Sequence, residues 1–245
     1  MLQRLPAHCW PAPSCDNLIA HLDGLRPWIR AALPAAPTIS LDTVRLCAPV
    51  ANPGKIVAVR SNYAGADSGG GGAPELFLKS SSSLAGPSHG IELRFDGRRV
   101  DHEVELVAVV GTRVDRASAA RALAAVAGYC IGIDVTLRGA EDRGLRKSLD
   151  GYTVLGPWLT TADEATGVAD AAIELAVNGV VRQRGRTSQM AFGIGALLAE
   201  ASRYFALEPG DVVMTGTPPG VGALAARDVI ECSIEGLGAM RVAVR

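Results

Sequence analysis

The chain has 245 residues, 48% of them hydrophobic and 20% charged, enough to bury a sizeable core. Its 24 basic and 25 acidic residues leave a net charge of −1, which excludes the basic footprint of a non-specific nucleic-acid binder. No apolar run reaches membrane-span length, the opening MLQRLPAHCWPAP lacks the apolar stretch of a secretory signal, and five scattered cysteines without a C-x-x-C point to a reducing cytoplasm.

In chain order, Asp16 is placed to cap a helix whose apolar residues Leu18, Leu22, Leu25 and Ile29 follow 3.6-residue spacing. The stretch Leu33 to Pro37 ends that helix, and TVRLCAPV follows as an extended segment. Residues 1–50 therefore read as a small N-terminal cap or arm and 51–245 as the main unit. The main unit is rich in short β-branched runs bounded by turn residues: IVAV at 56–59, IELRF at 91–95, EVELVAVV at 103–110, CIGIDV at 130–135 and IELAV at 173–177. Asn178-Gly179 predicts a hairpin between IELAV and VVRQ, and VIECSIEG with GAMRVAV predicts a second. Two helices interrupt the strands, one from Ser118 to Tyr129 and one opened by Thr187 and running through Met190, Ile194, Leu197, Leu198 and Ala201. Strands and helices do not alternate, so the expected fold is α+β, mainly β, and not a doubly wound parallel sheet.

The chemistry-bearing stretch is Asp101-His102-Glu103-Val104-Glu105. Side chains alternate along a strand, so Glu103 and Glu105 project from one face, the face continued by Val107 and Val109. A solvated strand end accommodates such a pair without any function. Buried, the pair needs a proton, a basic partner or a metal, because a bare carboxylate out of water costs several kcal/mol. Asp134 adds a third carboxylate inside the apolar run CIGIDVT, where an Asp charge also needs a partner. Three carboxylates suit a hard cation, Mg²⁺, Mn²⁺ or Ca²⁺, while Arg138 four residues on offers a plain ion pair instead. Lys147 in RKSLDGY is either a proton-transfer group beside such a cation or a surface lysine in a turn. The loop TGTPPGVG at 215–222 offers backbone N–H groups and the Thr217 hydroxyl to a carboxylate, and it is not a Walker loop. Histidine catalysis has little support, since His102 faces away from the Glu pair, and a serine hydrolase lacks its Gly-x-Ser-x-Gly elbow.

From about Arg45 onward these pieces resemble, in order, the fumarylacetoacetate hydrolase superfamily: RLCAPVANPGKIVAVRSNY, PELFLKSSSSLAGP, HEVELVAVVG, GYCIGIDVTLRG, RKSLDGYTVLGP, VNGVVRQRGRT, LEPGDVVMTGTPPGVG and IEGLG. The resemblance implies a mixed β-sandwich roll, usually homodimeric, with Mg²⁺ or Mn²⁺ on Glu103, Glu105 and Asp134 and Lys147 as catalytic lysine. It also implies that Tyr63, Lys79, Arg138 and Thr217 contact the substrate, a 2-oxo or 1,3-dicarbonyl acid. The sequence departs from the family's N-Y-x-x-H-x-x-E block, whose His and Glu activate water on a lid. Ala66 and Gly69 stand at those two positions, in a glycine-rich stretch expected to be flexible, and Glu141 replaces a glutamine. Losing that dyad costs a hydrolase about 10²–10⁴ in rate. The expectation is therefore a metal-dependent isomerase or decarboxylase working through an enolate. A C–C hydrolase with a rebuilt lid, using Asp67 as acid, and a non-catalytic binding member are the alternatives.

Overall fold

Most of the chain's β-branched residues fall into fourteen short strands, and these build the fold in the computed structural model, which describes residues 16–63 and 72–245. Asp67, Ala66 and Gly69 lie outside the described residues. The N-terminal part contributes α1 (Asn17–Ala20) and α2 (Leu22–Ala32). Strands β1 (Ile56–Val59), β2 (Leu76–Lys79), β3 (Leu84–Ala85), β4 (Val100–His102) and β5 (Val104–Val110) precede the short helix α3 (Ala119–Ala124). After it come β6 (Val126–Asp134), β7 (Thr136–Leu137), the single turn α4 (Arg143–Lys147) and β8 (Thr153–Thr161). The C-terminal third adds β9 (Ala172–Val177), β10 (Val180–Arg186), α5 (Ile194–Tyr204), β11 (Val212–Met214), β12 (Gly222–Ala223), β13 (Val229–Ile234) and β14 (Gly238–Ala243).

The strands form a seven-stranded mixed sheet ordered β2-β1-β11-β5-β6-β8-β3, a four-stranded sheet β10-β9-β13-β14, and a three-stranded sheet β12-β4-β7. The fold is α+β and mainly β, as expected. Strands β5 and β6 sit at the centre of the large sheet, and every residue of both is buried, which is why they read as near-continuous runs of Val, Ile, Leu and Ala. Alternation sorts their side chains into two cores. Val104, Leu106 and Ala108 join the larger cluster with Val57 and Val59, and Val107 and Val109 join the smaller one with Ile56, Ala58 and Cys130. The N-terminal helices dock on this body through Ile19 in the smaller core and through Arg26 and Arg30 on Asp163.

Both predicted hairpins form, and Asn178 and Gly179 take positive φ (51° and 76°), the conformation that an Asn-Gly turn supplies. Several elements differ from expectation. Asp16 accepts the N–H groups of Leu18 and Ile19 as predicted, but the helix it caps stops at Ala20 and restarts at Leu22. Of IELRF, expected as a strand, only Ile91 makes a bridge, to Val244. The Ala-rich helix ends at Ala124, and Val126 to Tyr129 open β6 because cross-strand pairing with β5 outweighs local helix preference. The last helix begins at Ile194, seven residues after Thr187, with Gly193 at its N-cap.

Candidate active site

The antiparallel pairing of β5 with β6 places the carboxylates. Glu105 lies opposite Gly132 and Val104 opposite Ile133, so Glu103 stands beside Asp134, whose N–H donates to the Glu103 carbonyl (2.8 Å). The three side chains share the face that continues as Val107 and Val109, and Gly132, opposite Glu105, leaves its place to the Val107 side chain, which a Cβ there would meet at 2.5 Å. One oxygen from each of Glu103, Glu105 and Asp134 lies within 4.8 Å of the others.

Two lysines reach the same cluster. The Lys147 ammonium donates to Asp134 Oδ2 (2.5 Å) and Glu103 Oε2 (2.8 Å). The Lys79 ammonium donates to Asp134 Oδ1 (2.5 Å) and to the Tyr152 carbonyl (2.9 Å), with its side chain wholly buried. Glu103 is also bonded by Thr136 Oγ1 (2.9 Å) and Arg138 Nη2 (3.4 Å). Glu105, by contrast, makes no ion pair among the described residues and accepts the Gly216 N–H at 2.7 Å.

The electrostatics follow from that arrangement. Burial, and then Asp134 beside it, push the Glu105 carboxyl well above its ordinary value. Burial alone would raise Asp134 too, but Lys147 and Lys79 outweigh it and hold Asp134 low. Burial works against the Lys147 ammonium, and the carboxylates of Asp134, Glu103 and Glu105 reverse that and raise it. Lys79 is pushed down by burial despite Asp134. Three acids face two ammonium groups in this cluster, and the buried Glu105 is the one left unpaired. An all-oxygen donor set with an uncompensated buried carboxylate fits a hard divalent cation.

Helix α4 explains how Lys147 arrives. Asp142 caps it by accepting the Leu145 N–H, and Arg143, Arg146 and Lys147 stand at i, i+3 and i+4 on one face of its single turn. A cavity of about 320 Å³ opens between that face and the carboxylates, lined also by Arg138, Thr217, Arg60, Ser61 and Phe77. Arg138 is held there by Asp101, whose Oδ2 accepts its Nε at 2.6 Å. Thr217 donates its hydroxyl to the Val104 carbonyl and accepts from Gln183 Nε2, both at 2.7 Å.

The structure thus brings together Glu103, Glu105, Asp134, Lys147, Arg138 and Thr217. Two residues assigned to substrate contact do not line that cavity. Lys79 sits behind Asp134 and does not line the cavity, and Tyr63 is buried with its hydroxyl unpartnered and, after burial, raised further by Glu105. His102 is buried, with Nδ1 3.0 Å from Gln183 Oε1. Reading the sequence missed Arg60, Ser61, Phe77, Arg143 and Gln183. The 143/146/147 spacing was the available signal for Arg143. Gln183 carries none, because a β-bulge between Val181 and Gln183 turns it inward out of register.

A strand-borne trio of carboxylates with an amine beside it, on this mixed-sheet fold, is the site of a class of proteins that can hold a hard divalent cation. The chain belongs to the fumarylacetoacetate hydrolase superfamily: the profile of the fumarylacetoacetate (FAA) hydrolase C-terminal domain matches residues 55–245. It is 45% identical to the maleylpyruvate hydrolase of Aquipseudomonas alcaligenes, across 100% of this chain and 91% of that one. Maleylpyruvate hydrolase from Sphingobium sp. SYK-6, solved with manganese(II) and pyruvate, is 36% identical, superposes with a TM-score of 0.87 and covers 99% of this chain and 89% of its own. A 5-carboxymethyl-2-hydroxymuconate delta-isomerase from Mycobacterium smegmatis is 37% identical with a TM-score of 0.77, covering 85% of each chain. No helix among the described residues is long and apolar enough to cross a membrane.

Proposed function

We propose that this chain is a divalent-metal-dependent hydrolase that splits the carbon–carbon bond between the acyl and pyruvate parts of an acylpyruvate of the maleylpyruvate type. The observation that carries the reading is the meeting of Glu103, Glu105, Asp134 and the Lys147 ammonium at one wall of a cavity lined with arginines. End-to-end similarity to maleylpyruvate hydrolases supports it.

A divalent ion on Glu103, Glu105 and Asp134, Mn²⁺ or Mg²⁺ with Ca²⁺ as a substitute, supplies positive charge against the 2-oxo carboxylate and the enolate that develops. The chain's own residues do the rest. Arg138, fixed by Asp101, holds the substrate carboxylate, and the Thr217 loop bounds the other side. Lys79 works from behind, keeping Asp134 ionised and in place. Water contributes hydroxyl to the acyl carbon, the broken bond's electron pair stays on the pyruvate part, the Lys147 ammonium gives a proton to its methylene carbon, and the proton released as the new acid ionises restores the ammonium. Asp67 is the acid this reading takes to stand in for the family's lid pair. Residues 51–245 form the catalytic unit, 1–50 an accessory arm, and the working form is a cytoplasmic homodimer.

The second reading, a keto–enol or double-bond isomerase or a decarboxylase, is favoured by Ala66 and Gly69 at the positions of the family's water-activating pair. Incubation with maleylpyruvate and Mn²⁺, followed by proton NMR, separates the two. Pyruvate and maleate in equal amounts are expected. An isomer of unchanged mass, or carbon dioxide with a shortened acid, would overturn the hydrolase reading in favour of the second.

A further inference from the structure

Four arginines line the cavity and differ in what they bond, Arg146 donating only to the backbone carbonyls of Glu141 and Leu137. Arg138 is tied to Asp101 and Glu103, on the side of the carboxylate trio. Arg60 and Arg143 are tied to neither. They share one exposed carboxylate, Glu75, with Arg60 Nη1 at 3.0 Å from Oε2 and Arg143 Nη1 at 3.0 Å from Oε1. Both line the same cavity as Lys147.

We propose that Arg60 and Arg143 form a second carboxylate-binding site in that cavity, which reads the acid group at the far end of a di-acid's carbon chain. Two guanidinium groups against one carboxylate leave a surplus positive charge. Each has five N–H donors and spends one on Glu75, so donors remain for a planar, bidentate ligand such as a carboxylate. The pair is held in position from both sides. Arg143 stacks over Phe77 at 5.8 Å from the ring centroid, and the Lys147 ammonium lies 5.8 Å from the same centroid, so a single ring spans the ground between the two ends of the site. Arg60 precedes Ser61, which is locked at φ 53° and lines the cavity; a non-glycine residue keeps that conformation only where its surroundings impose it. Glu75 is 60% exposed, so an incoming acid competes for its partners in a wet setting, where the exchange costs little.

The proposal deepens the acylpyruvate reading, since it supplies the reason a di-acid is preferred over an acylpyruvate with an uncharged arm. Its test is independent of turnover. Calorimetric titration in the presence of Mn²⁺ compares 2-oxoadipate with 2-oxohexanoate, two 2-oxo acids of equal length that differ only in the distal carboxylate. The wild type is expected to bind 2-oxoadipate about 10- to 100-fold more tightly, the worth of charge-assisted hydrogen bonds, and Arg143→Gln and Arg60→Gln to shrink that ratio without changing 2-oxohexanoate affinity. Equal binding of the two acids by the wild type, or a ratio that survives the double substitution, overturns the proposal. So does a loss that falls equally on both acids, which would make the arginines general scaffolding. A protein that shows the ratio yet cleaves no acylpyruvate keeps this site and refutes the hydrolase reading alone.

Discussion

The Lys79 ammonium and the Asp134 carboxylate meet at 2.5 Å with their side chains 0% and 1% exposed, so the pair is shut off from bulk water. A buried ion pair is expensive to break from one side, because the surviving charge has no solvent to turn to. Lys79→Met is therefore expected to cost about 3–5 kcal/mol of folding stability, read by urea denaturation, with the loss reduced where Lys147 shoulders the stranded carboxylate. A substrate-binding lysine would behave otherwise, raising KM while leaving the denaturation midpoint where it was.

Gly216 joins the TGTPPG loop to the carboxylate trio through the backbone alone: its N–H donates to Glu105 at 2.7 Å, its φ is +90°, and a Cβ there would meet the Asn62 Cβ at 2.8 Å. Gly216→Ala combines left-handed strain of about 1–2 kcal/mol with that contact and shifts the N–H off Glu105. Mn²⁺ titration by calorimetry is expected to show weaker binding in the variant, although no ligand side chain has changed. Unaltered Mn²⁺ affinity would mean that Glu105 does not depend on the loop.

Much of this site is legible in the sequence because its residues break a pattern. Glu103 and Glu105 share a parity with Val107 and Val109, and Asp134 stands in an otherwise apolar run, so each is conspicuous against a strand that buries every neighbour. The residues that escaped are those whose position depends on chain geometry and not on local pattern. Gln183 points inward only because a bulge slips its register, and Arg60 reaches the cavity only because Ser61 turns the chain after β1. The same holds for the elements. IELRF alternates well, yet beyond Ile91 its pairing keeps only the Leu93 N–H bond to the Arg245 carbonyl, and the segment before Tyr129 is strand because β5 lies beside it.

Gln183 fills all four of its hydrogen-bonding roles while fully buried. Its amide nitrogen donates to Thr217 Oγ1 and the Pro218 carbonyl, and its oxygen takes the Val104 N–H and faces His102 Nδ1. It fastens the loop that walls the cavity to the start of β5. Gln183→Leu, close in volume, leaves several buried polar groups without partners at roughly 1–3 kcal/mol each. The expected result is a stability loss of a few kcal/mol and a higher KM for the acylpyruvate from a loosened Thr217 loop, measured by denaturation and steady-state kinetics. Wild-type values for both would show the network to be dispensable.

Cys130 gives a pH dependence remote from the cavity's arginines. Its side chain lies in the smaller core, and burial pushes its thiol up to about 12. In the unfolded chain the thiol ionises near its ordinary value of about 8.5, so above that pH the unfolded state holds fewer protons than the folded one. Stability must then fall as pH rises, and the window runs from the ordinary thiol value to about 12. Cys130→Ala removes this group, so its plot of unfolding free energy against pH should decline less steeply from pH 9 upward than the wild type's, whatever the offset from the lost sulfur. Below pH 8 the two plots should run parallel. Across the same neutral range Cys130 should resist a thiol-alkylating reagent that labels the exposed Cys47, as peptide mass mapping would read. Equal slopes above pH 9, or labelling of Cys130 in the folded protein, would place that thiol in contact with water and contradict the packing of β6.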